Sequence, residues 1–123
     1  MEGRRKKVLV IEDERAMAKA LELKLTHEGL ECKTAIDGAA GLAMLGTEAF
    51  DLILCDLVMP KMDGFHVLEE MKVKQISTPV IVLSNLSQTE DAQKAIALGA
   101  KDFFIKSDTP IAQIVERVKA ILQ

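Results

Sequence analysis

Five short apolar runs recur along this chain, each followed by a longer segment with helical periodicity. That alternation limits the possible folds more than any other feature. The runs occupy residues 7–12, 30–36, 51–56, 79–84 and 101–106, and their starts lie 23, 21, 28 and 22 residues apart. Each interval has room for one strand and one crossover helix. Three of the runs are continuously apolar at 8–11, 52–55 and 80–83, the pattern of parallel strands covered on both faces. Five such units in succession predict a doubly wound α/β sheet with right-handed crossovers and five helices.

The intervening segments carry helix signals. In the first, Met17, Ala20, Leu21 and Leu25 form an apolar stripe that Gly29 ends. The second, about 38–45, is short and contains glycine; the third runs from about 63 to 74. Ser87-Gln88-Thr89-Glu90 reads as a capping box opening the fourth helix, which Gly99 closes. Thr109-Pro110 reads as an N-cap followed by proline at the first helical position, ahead of Ile111, Ile114, Val115, Val118 and Leu122 on one face. Five strands suit the flavodoxin-like order 2-1-3-4-5, and such sheets bind ligands at the carboxyl ends of the strands, where the order reverses beside strand 1.

Composition removes several function classes. The 123 residues fit one domain, read as 1–123. Sixteen basic against nineteen acidic residues leave −3, so no net field draws the chain to nucleic acid or a membrane surface. With neither Trp nor Tyr, base stacking is poorly served. No apolar run approaches a bilayer span, and the basic stretch Arg4-Arg5-Lys6-Lys7 is not followed by a signal-type apolar region. The expectation is a soluble, cytoplasmic protein. Asn85-Leu86-Ser87 matches a glycosylation acceptor, which has no weight without a secretory signal. Cys32 and Cys55 fall in two different strands expected to be buried, where they read as small core residues rather than a disulfide. His27 and His66 lack partners at zinc-ligand spacing.

Chemistry concentrates at the strand ends. The first run ends in Glu12-Asp13, the third in Asp56, the fourth in Ser84 and the fifth in Lys106. Strands 1 and 3 are neighbours in the expected order, so three carboxylates converge. In a partly desolvated cleft they repel one another and raise each other's pKa. A hard divalent cation such as Mg²⁺, or Mn²⁺, fits that oxygen set, and Lys106 adds a cation of the kind that recognises phosphate. Each residue alone has an ordinary role: a helix cap for Asp13, a turn for Asp56, a surface lysine for Lys106. Four of five strands ending in residue types that one phosphoryl-transfer site needs is harder to attribute to ordinary roles.

The chain resembles a response-regulator receiver domain, the phosphoacceptor half of two-component signalling, along essentially its whole length. The matching segments are Val8-Leu9-Val10-Ile11-Glu12-Asp13-Glu14, the block from Asp51 through Asp56-Leu57-Val58-Met59-Pro60-Lys61-Met62-Asp63-Gly64, Pro79-Val80-Ile81-Val82-Leu83-Ser84, and Gly99-Ala100-Lys101-Asp102-Phe103-Phe104-Ile105-Lys106. The strand order 2-1-3-4-5 is also that of this family, so the order and the resemblance are one expectation rather than two. The resemblance implies that Asp56 accepts a phosphoryl group from the phosphohistidine of a sensor histidine kinase or phosphotransfer protein. It implies that Glu12, Asp13, Asp56 and the Val58 backbone carbonyl hold Mg²⁺. Ser84 and Lys106 then stabilise the phosphoryl group. Ser84 and Phe103 correspond to switch residues, Phe103 having an equal claim as plain core. The change is read out to a downstream protein through helix 4, strand 5 and helix 5, about 87–122. Such a domain acts on its own acyl phosphate and is not a turnover enzyme.

Three departures from the family pattern affect switching and phosphoryl lifetime, not the chemistry. Ser107 replaces the usual proline, which predicts a trans Lys106–Ser107 bond; Asn85 replaces a small residue; Val58 and Leu86 make both flanking positions apolar. Rival readings fare worse. A flavin protein needs a hydroxyl- and glycine-rich phosphate loop where Glu12-Asp13-Glu14 stands. A metal-dependent phosphatase needs a substrate pocket. A receiver-like interaction module that is never phosphorylated, the main alternative, would usually have lost an acceptor or acidic residue, and all are present.

Overall fold

A computed structural model describes residues 5–59, 62–85 and 89–123. Its five parallel strands are β1 (Lys7–Ile11), β2 (Glu31–Ala35), β3 (Leu52–Asp56), β4 (Val80–Ser84) and β5 (Asp102–Ile105). They form one sheet in the order β2-β1-β3-β4-β5, as the sequence predicts. Five helices connect or follow them: α1 (Arg15–His27), α2 (Gly38–Thr47), α3 (Gly64–Val73), α4 (Thr89–Ala97) and α5 (Ile111–Leu122).

Alternation along the strands divides the core in two. Leu9, Ile11, Ile53, Cys55 and Val82 point to the face covered by α2, α3 and α4 with Val67, Leu68, Met71 and Ala95. Val8, Val10, Leu52, Leu54, Ile81 and Leu83 point to the opposite face, under Leu21 and Leu25 of α1 and Ile114, Val115 and Val118 of α5. Every residue of β3 and β4 is buried, since both strands are central and covered on both sides.

Two expectations need correcting. β2 is an edge strand with only Ala35 fully buried, and Cys32 is half-buried rather than a core residue. A strand with a neighbour on one side only has a row of exposed positions that a short apolar sequence does not reveal. Proline at 110 is the N-cap of α5 rather than its first helical residue, because residues 106–108 form an unanticipated 3₁₀ turn, Lys106–Asp108, that ends at Thr109. The Pro110 carbonyl, not a threonine hydroxyl, takes the first N–H groups of α5, from Gln113 at 3.0 Å and Ile114 at 3.3 Å. Asp37 and Asp63 cap α2 and α3 by accepting the N–H groups of Ala40 and His66. Gly29 and Gly99 end α1 and α4 at positive φ, +89° and +112°. Ser87 and Gln88 of the expected capping box, and Leu86, lie outside the described residues. Among the described residues no peptide bond is cis, so Lys106–Ser107 is trans.

Candidate functional site: an acidic pocket around Asp56

The carboxyl ends of β1, β3 and β5 converge at one edge of the sheet. Asp56 is the last residue of β3 and only 5% exposed. Its Oδ1 accepts the Val58 N–H at 3.3 Å and its Oδ2 accepts the Lys106 ammonium at 3.1 Å. The chain then turns sharply into α3, where Gly64 donates its N–H to the Leu57 carbonyl at 2.9 Å. A β-carbon at 64 would stand 2.5 Å from the Asp56 carbonyl oxygen. Only glycine lets α3 start this close to the aspartate, which accounts for the Asp63-Gly64 pair in the sequence motif.

Glu12 follows β1 directly, and its backbone N–H continues the ladder to the Ala35 carbonyl at 2.9 Å. Its carboxylate is buried: Oε2 accepts the Glu14 N–H at 3.0 Å, and Oε1 lies 2.7 Å from the Lys106 ammonium. Asp13, next along, is exposed. Lys106 opens the 3₁₀ turn after β5 and reaches back across the strand ends, with only 8% of its side chain exposed. Its ammonium meets a third carboxylate, Glu14 Oε1, at 3.0 Å. Three N–H donors thus face three acids. Burial pulls the Lys106 pKa down, but its hydrogen bonds to Glu12 and Glu14 and the charge of Asp56 outweigh it, and the net shift is upward. Burial, reinforced by the Glu12 charge, lifts the Asp56 carboxyl from its ordinary 3.8 to about 7, with Lys106 and the Val58 N–H opposing the rise. Buried Cys55 is pushed up strongly, first by desolvation and then by the same carboxylates, which leaves the thiol neutral and inert.

Glu12, Asp13 and Asp56 each offer a carboxylate oxygen within 4.8 Å of the others. Hard oxygen donors at this separation, one on an aspartate whose charge is disfavoured by burial, suit Mg²⁺. A cavity of about 340 Å³ beside them is lined by Asp13, Glu14, Asp56, Val58, Asn85 and Lys106. Val58, at 56% exposed, forms an apolar wall, as its sequence position suggests. Ser84 ends β4 in register with Ile105, one residue beyond the Leu83 that pairs with Asp56. It is fully buried, and Asn85 rather than Ser84 lines the cavity. Phe103 is half-buried against the core on the α2–α3–α4 face. The residue that sequence reasoning passed over is Glu14. A third acid after Glu12-Asp13 has no distinctive spacing, and only the fold brings Lys106, 92 positions away, against it.

The fold, the convergent acids and the lysine leave one family to test. A profile of the response regulator receiver domain matches residues 8–119. The chain belongs to the receiver-domain family. Response regulator ArlR of Staphylococcus aureus is 35% identical over 116 residues, covering 94% of this chain and 52% of that protein. The chain therefore spans about half the length of the curated relatives it matches. Among solved structures, the receiver domain of the Francisella response regulator 1452 superposes with a TM-score of 0.91 at 31% identity, over 96% of this chain and 97% of that one. Chemotaxis protein CheY4 of Vibrio cholerae gives 0.88 at 26% identity, over 97% of this receiver domain and all of that chain. Receiver domains are signalling switches rather than turnover enzymes, so the site is read as a switch site. No described helix is long and apolar enough to cross a membrane.

Proposed function

We propose that Asp56 accepts a phosphoryl group from the phosphohistidine of a histidine kinase or phosphotransfer protein in the cytoplasm, in a Mg²⁺-dependent reaction. A carboxylate oxygen of Asp56 forms the new P–O bond as the donor P–N bond breaks, and the electron pair leaves with the imidazole nitrogen. Glu12, Asp13, Asp56 and the Val58 carbonyl are the residues that would hold the ion. When bound, Mg²⁺ neutralises the acids and the incoming phosphoryl oxygens, which is most of what this kind of transfer requires. Lys106 supplies the fixed charge that pairs with the phosphoryl group, and the Ser84 hydroxyl is its further partner.

The observation that carries this reading is the state of Asp56: nearly sealed, hydrogen-bonded at both oxygens, and still walling an open cavity. Phosphorylation replaces the single negative charge of the carboxylate with the roughly two of an acyl phosphate, and adds three phosphoryl oxygens. Lys106 stands at the head of the 3₁₀ turn between β5 and α5, so drawing it towards a phosphoryl group pulls on β5, the strand that holds Phe103, and through it on the α4–β5–α5 surface. That surface is the proposed readout to a downstream protein. Incubation with acetyl phosphate should raise the intact mass by one phosphate with Mg²⁺ present and not in EDTA. Asp56→Asn should show no increase. Phosphorylation of that variant, or of the wild type in EDTA, overturns the assignment.

A further inference from the structure

Lys106 has three carboxylate partners, and they are not equivalent. Glu12 and Asp56 are buried and belong to the set that suits a divalent cation. Glu14 does not belong to it. Its side chain is 60% exposed at the mouth of the cavity, its Oε1 accepts from the Lys106 ammonium at 3.0 Å, and its backbone N–H anchors it to Glu12 Oε2. A cation drawn to Glu12, Asp13 and Asp56 competes with Lys106 for two of its three acids, and leaves the third untouched.

We infer that Glu14 is a positioning residue for the phosphoryl switch: it holds the Lys106 ammonium at the cavity mouth and sets the threshold for its transfer to the phosphoryl group. This rests on Asp56 being the acceptor. In the resting state the Glu14–Lys106 pair keeps the lysine's charge neutralised. When an oxygen of Asp56 displaces acetate from acetyl phosphate, the donor P–O bond breaks with its electron pair on the leaving acetate. Lys106 must exchange Glu14 for a phosphoryl oxygen as that bond breaks, so the exchange contributes to the barrier of the transfer. An exposed pair of this kind is weak, so the hold is a modest one that a dianionic phosphoryl group overcomes.

The test is the rate of phosphorylation by acetyl phosphate at saturating Mg²⁺. Glu14→Gln should raise it about two- to fivefold, the range of an exposed ion pair's contribution. In a Lys106→Met background the same substitution should leave the rate unchanged, because there is no ammonium to release. Glu14→Asp keeps the charge but shortens the reach, and should resemble Glu14→Gln. If the gain persists in Lys106→Met, or Glu14→Asp behaves as wild type, Glu14 acts through pocket charge and the positioning role is wrong. An unchanged or slower Glu14→Gln also overturns it. A second readout is independent of phosphorylation: the ¹⁵N resonance of the Lys106 ammonium in Mg²⁺-free protein. It should shift or exchange faster in Glu14→Gln, and no change means that the contact is absent. Failure of the wild type to be phosphorylated overturns the acceptor reading and this inference together. A phosphorylated wild type with an indifferent Glu14→Gln overturns this inference alone.

Discussion

Burying Asp56 beside Glu12 should have a cost measurable in the stability of the metal-free protein. The folded state lifts this carboxyl from 3.8 to about 7, so between those values the folded chain holds a proton that the unfolded chain has released. Stability from this group is therefore fully present below about pH 3.8 and lost as pH rises through 7. At 1.36 kcal/mol per pH unit, the loss above pH 7 amounts to at most roughly 4 kcal/mol. Asparagine keeps an acceptor for the Val58 N–H and cannot ionise, so Asp56→Asn should imitate the protonated aspartate at every pH. Urea denaturation of both proteins in EDTA, from pH 4.5 to 8, should show a small difference at the acid end. The variant's advantage should grow to about 2–4 kcal/mol at pH 8. Carboxylates remote from Asp56 are common to both proteins and cancel in the difference. Mg²⁺ at pH 8 should narrow the gap by stabilising the wild type selectively, since ligand bound only to the folded state adds stability by mass action. A gap that stays constant with pH, or shrinks towards pH 8, would refute the claim that desolvation and Glu12 raise the Asp56 pKa.

The remaining predictions follow from single contacts. Gln75 adopts φ +58° after α3, a conformation that costs non-glycine residues roughly 1 kcal/mol, so Gln75→Gly should raise the denaturation midpoint by a comparable stability increment. Gly64→Ala should lower stability by about 1–3 kcal/mol and slow phosphorylation, because its methyl group would press on the Asp56 carbonyl; equal stability and rate would contradict the close approach. Lys106→Ala should still bind Mg²⁺ by titration, yet phosphorylation of Asp56 should leave the amide NMR signals of β5 and α5 unmoved, whereas in the wild type they shift. The wild-type acyl phosphate should be long-lived, since the exposed Val58 wall cannot orient water, and Val58→Asn should shorten its lifetime by about tenfold once the donor is removed.

Much of this molecule could be read before folding. The continuous apolar runs at 8–11, 52–55 and 80–83 became the three buried strands β1, β3 and β4, because burial on both faces demands unbroken hydrophobicity from local sequence. Acids and a lysine at the strand ends were legible for a similar reason: in a parallel sheet the carboxyl ends all lie at one edge, so topology turns residues distant in sequence into one cluster. Local sequence said less where position in the sheet mattered. Cys32 looked like core, but β2 has a neighbour on one side only and leaves most of its positions open. The 3₁₀ turn at 106–108 likewise displaced the start of α5, since turn geometry there serves to aim Lys106 inward. Partner choice within the pocket belonged to the tertiary structure entirely. Side-chain identity places charges near the edge of the sheet, whereas distances of 2.7, 3.0 and 3.1 Å decide that Lys106 pairs with Glu12, Glu14 and Asp56 together. Electrostatic coupling depends on separation and solvent exclusion, neither of which a linear chain possesses until its strands are packed.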